Sequence, residues 1–280
     1  MTQPNLRRAA VAGSWYPASA EGLAHEVDRY LDAVGRPPAG DPVAIVAPHA
    51  GLMYSGPIAA HAYGLLRGRA IDVAVLVGPS HYVGFDGVAL YERGAFETPL
   101  GPIPVSEHCA AALAMASKHI RAHPAAHARE HSLEMQLPFL KRVLPDVSIV
   151  PLVMGYQRRE IAYELGDAIA AAVTGRRAVI VASTDLSHYH DAVTAAALDN
   201  QVIRQVRRFD ADGLMSLLEA CPEHACGGGP TVAVMRAARA LGAKEGRILK
   251  YGDSGDVSGD KDAVVGYLAA AFGTFASEVS

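Results

Sequence analysis

Cysteine is scarce in this sequence. Cys109, Cys221 and Cys226 are the only three, an odd count with no CxxC pair, which excludes a disulfide scaffold and fits a reducing compartment. Tryptophan occurs once, at Trp15. Positive charge is thin as well. With a net charge of −4 and Arg pairs as scattered as Arg7-Arg8 and Arg176-Arg177, the chain offers no basic cluster for direct nucleic-acid binding or an anionic membrane. No apolar run approaches the roughly 18 residues of a membrane span. Arg7-Arg8 ahead of Ala9-Ala10-Val11-Ala12 has the start of an export signal, but Gly13-Ser14-Trp15 interrupts it, so the expected protein is unprocessed and cytoplasmic. Walker and dinucleotide-binding fingerprints are absent.

What the chain does have is a core. Half of its 280 residues are hydrophobic, enough for a sizeable interior. Three apolar runs share one grammar: Val43 to Ala47 stops at Pro48-His49-Ala50-Gly51, Val73 to Val77 at Gly78-Pro79-Ser80-His81, and Ala178 to Ala182 at Ser183-Thr184-Asp185-Leu186-Ser187-His188. A strand buried on both faces reads as a continuous apolar run, and in parallel sheets chemistry collects where such strands end. Each run delivers a histidine at the same end. Helical periodicity fills the intervals, with Ser19 placed to cap one helix, Ser55 and Pro57 to open the next, Ser132 to cap a third and Pro230 to begin another. The whole chain, 1–280, therefore reads as a single α/β domain with a mostly parallel central β-sheet flanked by helices.

His49, His81 and the pair Asp185 and His188 can meet at one sheet edge. Cys226 is the natural fourth member, because it lies in a glycine-rich loop before a helix N-terminus, where the helix dipole lowers a thiol's pKa. Two imidazoles and one anion leave open positions on a transition metal. His127-Ala128-Arg129-Glu130-His131 also matches the H-x-x-E-H pattern of zinc peptidases, but a cap at Ser132 leaves that pattern in a loop rather than on one helical face. The acidic stretch Gly252 to Asp260 has carboxylate density without an EF-hand's closing glutamate and reads as a solvated loop.

Taken in order, Ala12-Gly13-Ser14-Trp15-Tyr16, Pro48-His49-Ala50-Gly51, Gly78-Pro79-Ser80-His81, Glu130-His131-Ser132-Leu133-Glu134-Met135, Ser183 to His188 and Cys226-Gly227 resemble the successive signatures of the Memo family, whose prokaryotic members are called AmmeMemoRadiSam system protein B. The resemblance spans nearly the whole chain. It implies a fold similar to that of the class III extradiol ring-cleaving dioxygenases, with His49, His81 and Cys226 as metal ligands, Cys226 standing where those dioxygenases carry a glutamate. It implies an acid/base place for His188 with Asp185 beside it. A thiolate shifts preference from iron(II) toward copper or zinc. The implied function is a non-haem iron or copper redox enzyme on a small-molecule substrate, with radical-SAM system partners. A non-catalytic peptide-binding adaptor, as animal members are known, and a zinc hydrolase are the alternatives.

Each assignment has a plainer counterpart. Asp185 either orients a ligand histidine or caps the following turn. His188 is an acid/base group or a turn-forming hydrogen bonder. Cys226 is a ligand or a small buried hydrophobe. His131, Glu134 and Tyr54 are expected to line the cleft. Glu134 has a solvated helix-start carboxylate as its counterpart, and Tyr54 ordinary packing.

Overall fold

The computed structural model describes residues 5–276. The apolar runs are strands of one nine-stranded sheet. In chain order these are β1 (Gly40–Ala47), β2 (Val73–Pro79), β3 (Val88–Leu90), β4 (Ile120–Ala122), β5 (Ser148–Met154), β6 (Ala178–Ser183), β7 (His188–His190), β8 (Glu245–Asp253) and β9 (Val264–Phe275). Across the sheet they run β7-β9-β1-β6-β2-β5-β3-β4, with β8 paired to β9. The centre, β1-β6-β2-β5, is wholly parallel. Antiparallel strands extend it on both sides, β9 against β1 and β3 against β5.

Residue character explains the division. Val73 to Val77 on β2 is buried throughout, because helices cover both faces of the central strands. Each such Val, Ile or Leu removed from water contributes about 1.5–3 kcal/mol, so the middle of the sheet holds the fold. One helical layer comprises Ala20–Ala33, Leu52–Gly64 and Leu137–Val143; the other includes Arg159–Val173, Ala192–Arg208, Ala211–Ala220 and Gly228–Ala240. Ser19 does cap its helix, accepting the Gly22 amide at 3.2 Å. Among the described residues no helix is long and apolar enough to cross a membrane.

Three helix starts differ from the sequence reading. The helix expected to open at Ser55 starts at Leu52, and the Ser55 hydroxyl instead donates back to the Ala50 carbonyl at 2.8 Å. Ser132 caps nothing: its hydroxyl donates to the Pro79 carbonyl at 3.0 Å, and only a 3₁₀ turn, Glu134–Gln136, leads into Leu137–Val143. The last long helix begins at Gly228, so Pro230 lies in its first turn rather than at its start.

Candidate metal centre

The parallel strands β1, β6, β2 and β5 all end on one side, and the chain leaving β1 places His49 there, 2 % exposed. Its ring is oriented by a neutral relay. Tyr63 donates to Gln136 Oε1 at 2.8 Å, and Gln136 Nε2 donates to the Pro48 carbonyl at 3.0 Å and to Ser183 Oγ at 2.7 Å. Ser183 passes its own proton to the Ser132 carbonyl at 2.7 Å. With its donor spent, Ser183 Oγ can only accept from His49 Nδ1, 2.9 Å away. His49 therefore carries its proton on Nδ1 and presents a lone pair on Nε2. Burial, reinforced by the neighbouring His81, lowers its pKa to about 3, so the ring is neutral at physiological pH.

His81, leaving β2, has a charged support. Its Nδ1 lies 2.8 Å from Glu130 Oε1 and its amide donates to Oε2 at 2.6 Å. Burial alone would raise Glu130, but the His81 ring and amide, helped by the Ser132 amide at 2.9 Å, outweigh it and hold the carboxyl at about 2. A carboxylate can only accept, so His81 also keeps its proton on Nδ1 and turns Nε2 outward. His131 stacks on the His81 ring at 4.5 Å and meets Trp15 at 4.3 Å. Burial, then the two neighbouring histidines, lowers His131 to about 3.

Cys226 completes the group, with Sγ 3.3 Å from His49 Nε2. Its amide donates to the Asp185 carbonyl at 3.2 Å, and the Asp185 amide points at Sγ from 3.3 Å. Gly227 allows the approach: a Cβ there would meet the Ser183 carbonyl oxygen at 2.3 Å. The helix N-terminus does not lower this thiol as the sequence suggests. Burial, then the Asp185 carboxylate, pushes its pKa up, so without a cation beside it the sulfur keeps its proton. One donor atom each from His49, His81 and Cys226 falls within 4.8 Å of the others. Two imidazoles with free Nε2 lone pairs and a thiol that needs a cation to ionise fit a transition-metal ion.

His81, Glu130 and His131 also come within 4.8 Å of one another, but Glu130 already accepts from the His81 ring and from the His81 and Ser132 amides, and so serves as a support. Asp185 reaches the amide of His49 at 2.7 Å, not its ring; burial raises it to about 6 against the pull of the His49 and Ala50 amides. His188 opens β7 near enough to influence the charge of both Asp185 and His49, and its ring makes no hydrogen bond among the described residues. Tyr54 lies on the helix that follows His49, beside Gly51.

Glu134 is not solvated. It is buried, paired with Arg7, and accepts from the Ala10 and Val11 amides at 2.8 and 3.0 Å and the Tyr16 hydroxyl at 2.6 Å. It straps the N-terminal segment that carries Trp15. The H-x-x-E-H pattern breaks up, since His127 ends a four-residue helix and bonds the Ala89 carbonyl at 3.1 Å. The acidic stretch is not simply a loop: Gly252 and Asp253 end β8, Gly255–Ser258 is a short helix, and Lys261 occupies the place of a cation, 2.7 Å from Asp253 and 2.6 Å from Asp256. Sequence reasoning passed over Gln136 and Gln157 altogether and gave Ser183 no role; only the position of Ser183, one residue past the apolar run, hinted at it.

Fold and site together define an α/β protein whose parallel strands converge on two imidazoles and a thiol, a donor set that could hold a metal ion. The Memo-like protein family profile matches residues 7–271, and the chain belongs to that family. It is 40 % identical over 267 residues to a MEMO1 family protein of Methanosarcina mazei, covering 94 % of this chain and 98 % of that one. A second relative, from Methanothermobacter thermautotrophicus, is 38 % identical over 272 residues, with the same coverage. Among solved structures, an uncharacterized Escherichia coli K12 protein, JW3007, aligns over 81 % of this chain and 99 % of its own with a TM-score of 0.55 at 15 % identity, a likeness of fold.

Proposed function

We propose that this Memo-family protein is a metal-dependent redox enzyme, dioxygenase-like, in which His49, His81 and Cys226 hold iron(II) or copper for work on a small-molecule substrate. The carrying observation is the 3.3 Å approach of Cys226 Sγ to a His49 Nε2 whose lone pair is set free by Ser183. A bound iron or copper ion supplies redox and Lewis-acid chemistry. The chain's own residues do the rest. Ser183 and Glu130 keep the Nδ1 protons in place, so in the neutral rings Nε2 is the nitrogen left to act as ligand. Burial of His49 and Asp185 excludes water from the inner wall. Asp185, raised to about 6, and His188 at the start of β7 hold and move protons beside the cluster.

Anaerobic purification with elemental analysis tests this reading. Wild type is expected to carry near-stoichiometric iron or copper, and His49→Ala and Cys226→Ser to lose it while staying folded. Metal retained in His49→Ala places the site elsewhere. Zinc in place of iron or copper, together with chelator-sensitive ester or peptide cleavage, replaces the redox reading with a hydrolytic one.

A further inference from the structure

We infer that Gln157 is the positioning residue that sets Cys226 for metal binding, an inference resting on the metal-centre reading above. Gln157 lies three residues beyond β5 and reaches across to the glycine-rich turn with both halves of its amide. Its Nε2 donates to the Cys226 carbonyl at 2.7 Å, and its Oε1 accepts from the Gly229 amide at 2.7 Å. A carbonyl can only accept and an amide N–H can only donate, so the side chain has one orientation. Gly229 contributes one of the unpaired amides at the start of the helix Gly228–Ala240, and Gly227 at the cap position has no side chain to offer it. Gln157 thus supplies from another strand end the cap that the glycines cannot.

Two further features make the clamp specific to Cys226. On the opposite flank Thr184 Oγ1 accepts from the Gly227 amide at 2.9 Å, so the turn is pinned between the ends of β6 and β5. A Cβ on Gly229 would meet Gln157 Cβ at 2.8 Å and the Met154 sulfur at 3.0 Å, so the backbone lies directly on this support. Beyond the clamp, a cavity of about 340 Å³ opens between Tyr156, Met215, Leu218, Ala225 and Cys226.

Two variants separate positioning from simple helix capping. Gln157→Ala removes both bonds. Gln157→Glu keeps an acceptor for the Gly229 amide but sets a carboxylate oxygen against the Cys226 carbonyl. In Co(II) titrations of the full chain, both are expected to bind about 10- to 100-fold more weakly than wild type, with a reduced thiolate-to-cobalt charge-transfer band. If Gln157→Glu matches wild type in affinity and band, or Gln157→Ala does, the residue is a cap and the inference is overturned. Failure of the metal reading is distinguishable, since wild type would then show no thiolate band. The inference is in that event judged on the metal-free protein by iodoacetamide alkylation of Cys226 followed by mass spectrometry: faster in both variants if Gln157 holds the turn, equal to wild type if it does not.

Discussion

Glu130 and Glu134 lie four residues apart in sequence, are 2 % and 1 % exposed, and do opposite work. Glu134 faces the guanidinium of Arg7, two backbone amides and a phenol, all from the N-terminal segment, and none of these partners belongs to the donor cluster. Glu130 faces the ring and amide of His81. Equal burial therefore says little about role; the partners decide it. A carboxylate whose partners include a fixed cation and backbone amides holds a fold, and one that grips an imidazole holds a ligand.

The largest expected effect breaks the first half of that comparison. Glu134→Ala leaves the Arg7 charge buried without its partner, which costs about 3–5 kcal/mol of stability. Chemical denaturation should show this, while the molecules that remain folded keep the wild-type metal content. An unchanged denaturation midpoint would falsify the assignment of Glu134 as a strap.

Glu130→Gln should invert the pattern. An amide can still accept from one His81 nitrogen but sets its own N–H against the other, so metal affinity should fall about 10- to 100-fold, or about 1.4–2.7 kcal/mol. The pH dependence of the metal-free protein sharpens the contrast. The folded pKa of Glu130, about 2, lies below its ordinary 4.5, so its contribution to stability is present above pH 4.5 and lost as pH falls toward 2. Over that window the stability gap between wild type and Glu130→Gln should close. A gap that stays constant down to pH 2 means that His81 does not hold the carboxylate ionised.

The same contrast shows what a sequence can carry. Val43 to Ala47, Val73 to Val77 and Ala178 to Ala182 announce buried parallel strands because each residue's surroundings are apolar on both faces, a local property of composition. The strand-end positions of His49 and His81 follow from those runs. The roles of Glu130 and Glu134 do not, since Arg7 stands 127 positions from Glu134 and His81 stands 49 from Glu130. Cys226 shows a different limit. Its place before a helix suggests a lowered thiol, but burial and the Asp185 carboxylate, set beside it by the fold, act the other way. Ser132 looks like a cap because hydroxyls often are caps at such positions, but only a 3₁₀ turn follows, with Leu133 at its cap position, and the Ser132 hydroxyl donates to the Pro79 carbonyl instead.

The smallest expected effect on metal binding lies at the far end of the neutral relay that supports His49. Tyr63→Phe removes the donor to Gln136 Oε1, leaving one buried acceptor unpaired at a cost of about 1–3 kcal/mol in stability. Metal affinity should nevertheless stay within a few-fold of wild type. Gln136 keeps its orientation, because turning it over would set Oε1 against the Pro48 carbonyl, and its Nε2 therefore goes on donating to Ser183. Ser183 still spends its proton on the Ser132 carbonyl, and His49 still has Nδ1 as its only donor to Ser183. If Tyr63→Phe instead weakens metal binding as much as Glu130→Gln does, the neutral relay transmits more than orientation. The two histidines would then depend equally on their supports, despite one being a chain of dipoles and the other a charge.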